Sequence, residues 1–451
     1  MASNNPQSTS TAVELQDGTR AEGRFTRSAA NDAADPTADD VMQASLLADS
    51  EVPDGGYGWV VISGCAMVTW WFIGTSYCWG ILQNALVKEG VSSSSTLAFV
   101  GSLATACISF LGILNARIIR KLGTRVCAMI GVFMLGLSEV LSSFAIKNIG
   151  SLFVTGGILM GIGISLCFMV VSVIPAQYFK TKRGIANGIV YAAGGLGGAV
   201  NSFVINALLQ DVGTAWTFRI LGFITWGTGL PAAYMIKQRV PLPRTTFVEW
   251  SLFRDVRFLL LFVTGAIATF PLLVPPFFLP LYTDSLGMTS SVGAAVVAAF
   301  NFSSAVGRLI CGFCSDFLGP LNTLFVSLLL SALSMLILWP VSTSIGPLVV
   351  FVIINGMSNG GFFSTMPTVV GNVFGSARVS VAMGMVVTGW AGGYLLGAPI
   401  AGYILDASGG EESGIAAYRP AIFYAGGMAL SSAVMALFIR LKTDMKPFKK
   451  L

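Results

Sequence analysis

Histidine is absent from all 451 residues. With it go the commonest zinc ligand and the side chain that most often carries protons near neutral pH, so most hydrolytic and metal-dependent mechanisms lose a central part. Charge is scarce too: 10% of residues are Asp, Glu, Lys or Arg against 54% hydrophobic, and mean hydropathy is +0.76. Soluble domains carry about 25% charged residues, so a soluble globular fold is excluded. There is no G-x-x-x-x-G-K-[ST] loop for a nucleotide-driven pump, no G-x-G-D pair and no nucleophile set beside a base. The expectation is therefore a protein that is not an enzyme and that needs neither cofactor nor metal, with the bilayer and a small molecule as partners; nothing points to nucleic acid or names an accessory protein. The seven cysteines (Cys65, Cys78, Cys107, Cys127, Cys167, Cys311, Cys314) fall in or beside apolar runs, so a disulfide framework of the secreted kind is not indicated. Cys311-x-x-Cys314, alone on an apolar helix, reads as packing before redox chemistry.

What is present is apolar sequence in runs of about 20 residues, the length that crosses a bilayer as a helix. The ten-residue alternation of a membrane barrel is missing, and the fold class is an all-α membrane protein. Breakers divide the runs into twelve spans, near 57–84, 95–116, 124–145, 150–176, 184–209, 216–236, 258–283, 290–314, 321–340, 346–370, 379–405 and 419–440. Residues 1–52, rich in Ser, Ala, Asp and Thr without an apolar run, read as a disordered tail. That tail has no signal-peptide pattern, so the first span is expected to act as the targeting signal, leading to the plasma membrane or a vacuolar-type membrane. Lysine and arginine sort to one side: Arg117, Arg120, Lys121 and Arg125 follow span 2, Lys180, Lys182 and Arg183 follow span 4, and Lys237, Arg239, Arg244, Arg254 and Arg257 follow span 6. The other side has few, among them Lys88, Lys147 and Arg419. Both termini are expected in the cytosol.

The two halves echo each other. Phe179–Arg183 (FKTKR) before span 5 matches Phe374–Arg378 (FGSAR) before span 11, and Arg120-Lys-Leu-Gly123 after span 2 matches Asp316-Phe-Leu-Gly319 after span 8. This implies two six-span halves, 53–236 and 258–440, around a cytosolic loop at 237–257, with a second tail at 441–451. Span 7 is broken by Pro271, Pro275, Pro276 and Pro280, which is tolerable only where protein or a cavity satisfies the freed carbonyls. Spans 5 and 11 are dense in glycine, as close helix contacts in lipid require.

One arginine lies deep inside an apolar run. Arg308 in span 8 shares a helix face with Asn301 and Ser304, and an unpaired guanidinium at such a depth costs at least about 2.5–3.5 kcal/mol. It reads either as a cation facing a water-lined cavity or as a strut paired with backbone carbonyls. Glu139 in span 3 is the one acidic residue well inside a run, a candidate proton carrier or the lining of an outer vestibule. Further cavity candidates are Tyr77 and Trp79 in span 1, Asn187 and Tyr191 in span 5, Asn355, Asn359 and Phe363 in span 10, and Trp390 and Tyr394 in span 11, each also explicable as helix packing.

Two stretches resemble the major facilitator superfamily, and within it the monocarboxylate porter family in its fungal branch. Asp54-Gly-Gly-Tyr-Gly-Trp59 followed by Val60 and Val61 is similar to the family's first signature, and Tyr178-Phe-Lys-Thr-Lys-Arg-Gly-Ile-Ala-Asn-Gly188 to its second. The resemblance covers about 54–440. It implies alternating access around a central site in which Arg308 holds the substrate's carboxylate. It also implies two departures: Ser304 stands where family members carry a proton-relaying aspartate, and Ile81 where they carry a lysine. The expected function is a secondary or facilitative transporter of a small organic solute, a monocarboxylate or other organic anion, exporting a secondary metabolite or importing a vitamin-like nutrient. The rival from another class is a receptor or sensor on a transporter scaffold, which usually adds a long signalling tail.

Overall fold

A computed structural model describes residues 55–179, 183–239, 250–374 and 379–443. The tail expected at 1–52, residues 240–249 of the loop expected at 237–257, and parts of the FKTKR and FGSAR echo lie outside the described residues. Among the described residues there are helices and connecting turns but no strand.

Twelve spans follow one another, in two halves of six. Eight of them contain helices long and apolar enough to cross a membrane. Span 6, Gly213–Met235, has the length but more Thr, Trp and Gly, and the other three are interrupted. Span 1 runs Tyr57–Tyr77 and Trp79–Lys88, span 2 Ser94–Phe110 and Gly112–Leu122, span 7 Val256–Ala268 and Val274–Ser285, and span 11 Val379–Gly389 and Ala391–Ala407. The uninterrupted helices that matter for the site are span 3 (Thr124–Ala145), span 5 (Arg183–Asp211), span 8 (Ser290–Leu318) and span 10 (Ile345–Phe374). Span 12, Arg419–Thr443, extends a turn beyond its expected end.

The break in span 7 follows from its prolines. Pro275 and Pro276 have no N–H, so the carbonyls of Pro271 and Leu272 lose the donors that a helix would supply four residues later. The Val274 N–H takes the first at 3.2 Å, and the Asn359 side-chain amide, from span 10, takes the second at 3.0 Å. A small cavity behind this break, lined by Pro271, Leu272, Ser331, Ser358 and Asn359 among others, has room for about one water. Span 1 breaks without proline: the Cys78 N–H is shared between the Gly74 and Thr75 carbonyls at 3.2 and 3.1 Å.

The second sequence echo is also a backbone echo. Gly123 and Gly319 adopt φ of 83° and 89°, each turning the chain sharply into the next span, a conformation that costs side-chain-bearing residues about 1–3 kcal/mol. Within the halves span 3 packs on span 6, span 9 on span 12, and span 8 on span 10. Between them span 5 packs on span 8, span 2 on span 11, and the last segment of span 1 on the last segment of span 7. Phe144, Phe203, Phe223, Phe313 and Phe438 point outward and exposed, as lipid requires and water would not allow.

The two ends differ chemically. At one, here called inner, the basic connections meet: Arg125 Nε donates to the Ile236 carbonyl at 3.1 Å, the Tyr178 hydroxyl to the Lys237 carbonyl at 2.8 Å, and the Arg239 N–H to Gln177 Oε1 at 3.0 Å. The opposite, outer end carries Glu89, Asp284 and Asp406 at its helix ends.

Candidate functional site

Arg308 is 1% exposed. It belongs to the second half but reaches across to the first: Nη1 donates to the Tyr191 carbonyl of span 5 at 2.5 Å, and Nη2 to the Tyr77 hydroxyl of span 1 at 3.3 Å. Its Cζ stands 5.7 Å from the centre of the Tyr77 ring and 5.2 Å from that of Phe363 on span 10. Each such ring contact offsets about 0.5–2 kcal/mol of the desolvation of the cation, against a penalty of several. Nε has no partner, and no carboxylate among the described residues pairs with the guanidinium. Arg308 is thus bound to a backbone carbonyl, and no counter-charge stands against it among the described residues.

The turns before Arg308 are equally underserved. Asn301 is fully buried with both amide atoms unpartnered, and Ser304 is fully buried with its hydroxyl unpartnered. Most buried polar atoms in proteins are paired, so three such residues on one helix at the contact between two bodies is a concentration that calls for a ligand, water or a second conformation. Close backbone contact explains how they are enclosed. A Cβ on Gly198 would stand 2.8 Å from the Asn301 amide carbon, and one on Gly360 would stand 2.1 Å from the Ser304 carbonyl oxygen and 3.1 Å from Arg308 Cγ.

Tyr191 and Phe363 are half-buried. The Tyr191 hydroxyl meets Ser172 of span 4 at 3.1 Å, and Ser172 is exposed. Asn187 lies half-buried one turn before Tyr191. From Phe363 an aromatic chain continues through Phe362 (5.5 Å) to Trp390 (5.3 Å) and Tyr394 (6.1 Å), with Trp390 seated at the break in span 11 and its indole N–H unpartnered.

Other candidates sit elsewhere. Asn355 faces span 9, donating to Ser334 Oγ at 2.9 Å, and Asn359 secures the span 7 break. Trp79 donates to the Leu97 carbonyl of span 2 at 3.0 Å, and Ile81 is buried. Glu139, 4% exposed, accepts from Thr225 of span 6 at 3.2 Å, inside the first half and not against Arg308. Cys311 and Cys314 are free thiols.

The sequence reading missed the outer closure. Asp284 accepts from Lys88 Nζ at 2.5 Å and from Asn84 Nδ2 at 3.0 Å, joining spans 7 and 1. Ser95 of span 2 donates to Asp406 of span 11 at 2.6 Å, and Asn206 of span 5 to Ser291 of span 8 at 3.3 Å. The available signal was an acidic residue at the outer end of two spans, each needing a partner.

The model of the Major Facilitator Superfamily matches residues 59–298 and 261–451. Among curated relatives, the aspyridones efflux protein of Emericella nidulans is 28% identical over 406 residues, 88% of this chain and 82% of that protein. The agnestins efflux protein of Paecilomyces divaricatus is 26% identical over 390 residues, covering 85% and 87%. Monocarboxylate transporter 4 of Mus musculus is 28% identical over 411 residues, covering 86% and 84%. Among solved structures, the nucleoside transporter NupG superposes with a TM-score of 0.66 at 13% identity, over 85% of this chain and all of that one. A POT family transporter in complex with a thioalcohol-conjugated peptide superposes with a TM-score of 0.67, also at 13% identity, over 85% and 96%. At that identity the likeness is one of fold. Both signature stretches fall within or at the edge of the matched region, and the chain belongs to the Major Facilitator Superfamily.

Proposed function

We propose that this transporter carries an organic anion by alternating access and that Arg308 is the substrate's counter-charge, with export as the direction of net movement. The observation that carries the reading is the guanidinium buried between the two halves with no carboxylate against it among the described residues. In low dielectric a carboxylate or phenolate brought to it gains far more than at a surface. A planar guanidinium also matches a carboxylate with two parallel hydrogen bonds, and Nε and Nη2 are the nitrogens that are unbound or weakly bound. The half-buried rings of Phe363 and Tyr191 would flank such a ligand, which favours an acid with an apolar or aromatic body over the smallest monocarboxylates. Efflux is supported by the names of two fungal relatives, and an anionic substrate by the name of the murine one.

Ser304 contributes no titratable group beside Arg308, and Glu139 is bonded within the first half. The reading therefore includes transport that depends little on a proton gradient. The plasma membrane is the site that suits export. Counterflow in proteoliposomes with a panel of labelled organic acids and their neutral amides tests the reading: acids should exchange and amides should not. A panel in which amides exchange as fast as acids contradicts it, and a chain that exchanges nothing while binding acids would support the sensor alternative.

A further inference from the structure

The outer closure is made by two short helical segments, and we infer that Asp284 is the latch that holds them together and keeps the protein closed on its outer side. The segments Trp79–Lys88 and Val274–Ser285 each follow an interruption in the middle of the span, at Cys78 and at residues 269–273. Each can therefore turn about its break without bending a continuous helix. They meet backbone to backbone: a Cβ on Gly80 would stand 2.2 Å from the Pro276 carbonyl oxygen. That oxygen lacks a helical donor because residue 280 is proline, so the contact is formed by chain that the prolines have left exposed.

Beyond this contact the side chains close. Asp284 takes Lys88 Nζ and Asn84 Nδ2 together, and Lys88 also donates to Ser290 Oγ at 3.3 Å at the head of span 8. Asn84 and Lys88 belong to the first half, Asp284 and Ser290 to the second, so separating the outer ends breaks all three bonds at once. A lone exposed ion pair would hold little. Here Asn84 is 6% exposed, the Asp284 side chain 24% and only Lys88 is half-exposed at 50%, so the carboxylate and its amide donor are partly shielded and their charge-assisted bond is the stronger kind. The flanking bonds from Ser95 to Asp406 and from Asn206 to Ser291 shut the same end with neutral donors. The latch follows from the closure alone and does not depend on which solute is carried.

The test needs no substrate. In the full chain with its seven native cysteines replaced by alanine, spin labels at Ser92→Cys and Met288→Cys report the outer separation in nanodiscs by pulsed electron resonance. The parent should show one dominant short distance. Asp284→Ala should raise the ratio of long to short distances at least about fivefold, the factor that about 1 kcal/mol represents. Asp284→Asn, nearly isosteric, should give a smaller rise, and the exchange of Lys88→Asp with Asp284→Lys should reverse the opening seen in Lys88→Asp alone. Distances unchanged in both Asp284 variants, or an opening that the charge exchange leaves untouched, would overturn the latch.

Discussion

Arg308 and Glu139 are both ionisable side chains buried within spans, yet their surroundings differ. Arg308 stands between the halves and is bonded to spans 1 and 5 of the other half, so any rocking of one half against the other must remake its contacts. Glu139 joins span 3 to span 6, two helices of the same half, and can keep its Thr225 bond throughout such a motion. A buried charge takes part in the transport cycle when it lies on a surface that moves. One inside a rigid body contributes to that body's packing.

The sharpest test of this contrast is substitution of both. Arg308→Ala should reduce anion flux by about 10- to 100-fold, the loss of hydrogen bonds to a charged partner worth about 1.5–3 kcal/mol, while the protein still inserts because an intramembrane charge has been removed. Arg308→Lys should recover only a small part, since a point charge does not reproduce a two-pronged bond. Glu139→Gln should leave flux within about twofold, because its neutral amide can still pair with Thr225. If Glu139→Gln were as damaging as Arg308→Ala, the contrast would fail.

A smaller effect separates the moving surface from the packing behind it. Gly360→Ala forces a methyl onto the Ser304 carbonyl and should destabilise the second half by about 1–3 kcal/mol, read as a lowered unfolding temperature in detergent. Asn355→Ala, which removes a bond between spans 10 and 9, should cost about 1–2 kcal/mol of stability and leave the apparent affinity for substrate unchanged. A changed affinity there would return Asn355 to the substrate site. Smallest of all should be the response to an imposed pH gradient: flux should change by less than about twofold between equal and acid outer pH, since Ser304 offers no proton and Glu139 does not face Arg308. A steep acid stimulation that survives Glu139→Gln would reveal a proton carrier outside this pair.

The spans were legible because lipid imposes a single rule, about 20 apolar residues without an open hydrogen bond, and eight segments obey it as helices long and apolar enough to cross. Arg308 was legible for the same reason: one cation in an apolar run is anomalous on its face. The family signatures and the Gly123 and Gly319 echo located the two halves. What could not be read was direction. On a helix apolar all round, nothing tells which face meets a cavity and which meets a neighbour, so Asn355 and Trp79 were grouped with Tyr77 although they point at spans 9 and 2. Breaks were legible only where proline announced them. Those at Cys78 and Trp390 have no proline beside them. The sequence shows Lys88 only as one of the few basic residues on its side, since its partner Asp284 lies nearly 200 residues away and only the fold brings them together.

The central claim is that Arg308 waits for an anion. It is tested most directly by comparing, in proteoliposomes, the transport of one organic acid with that of its uncharged amide, in the wild-type protein and in Arg308→Gln. The account predicts a strong preference for the acid that collapses to parity or reverses in the variant, because the amide never needed the cation. A preference for the acid that persists undiminished in Arg308→Gln would contradict it.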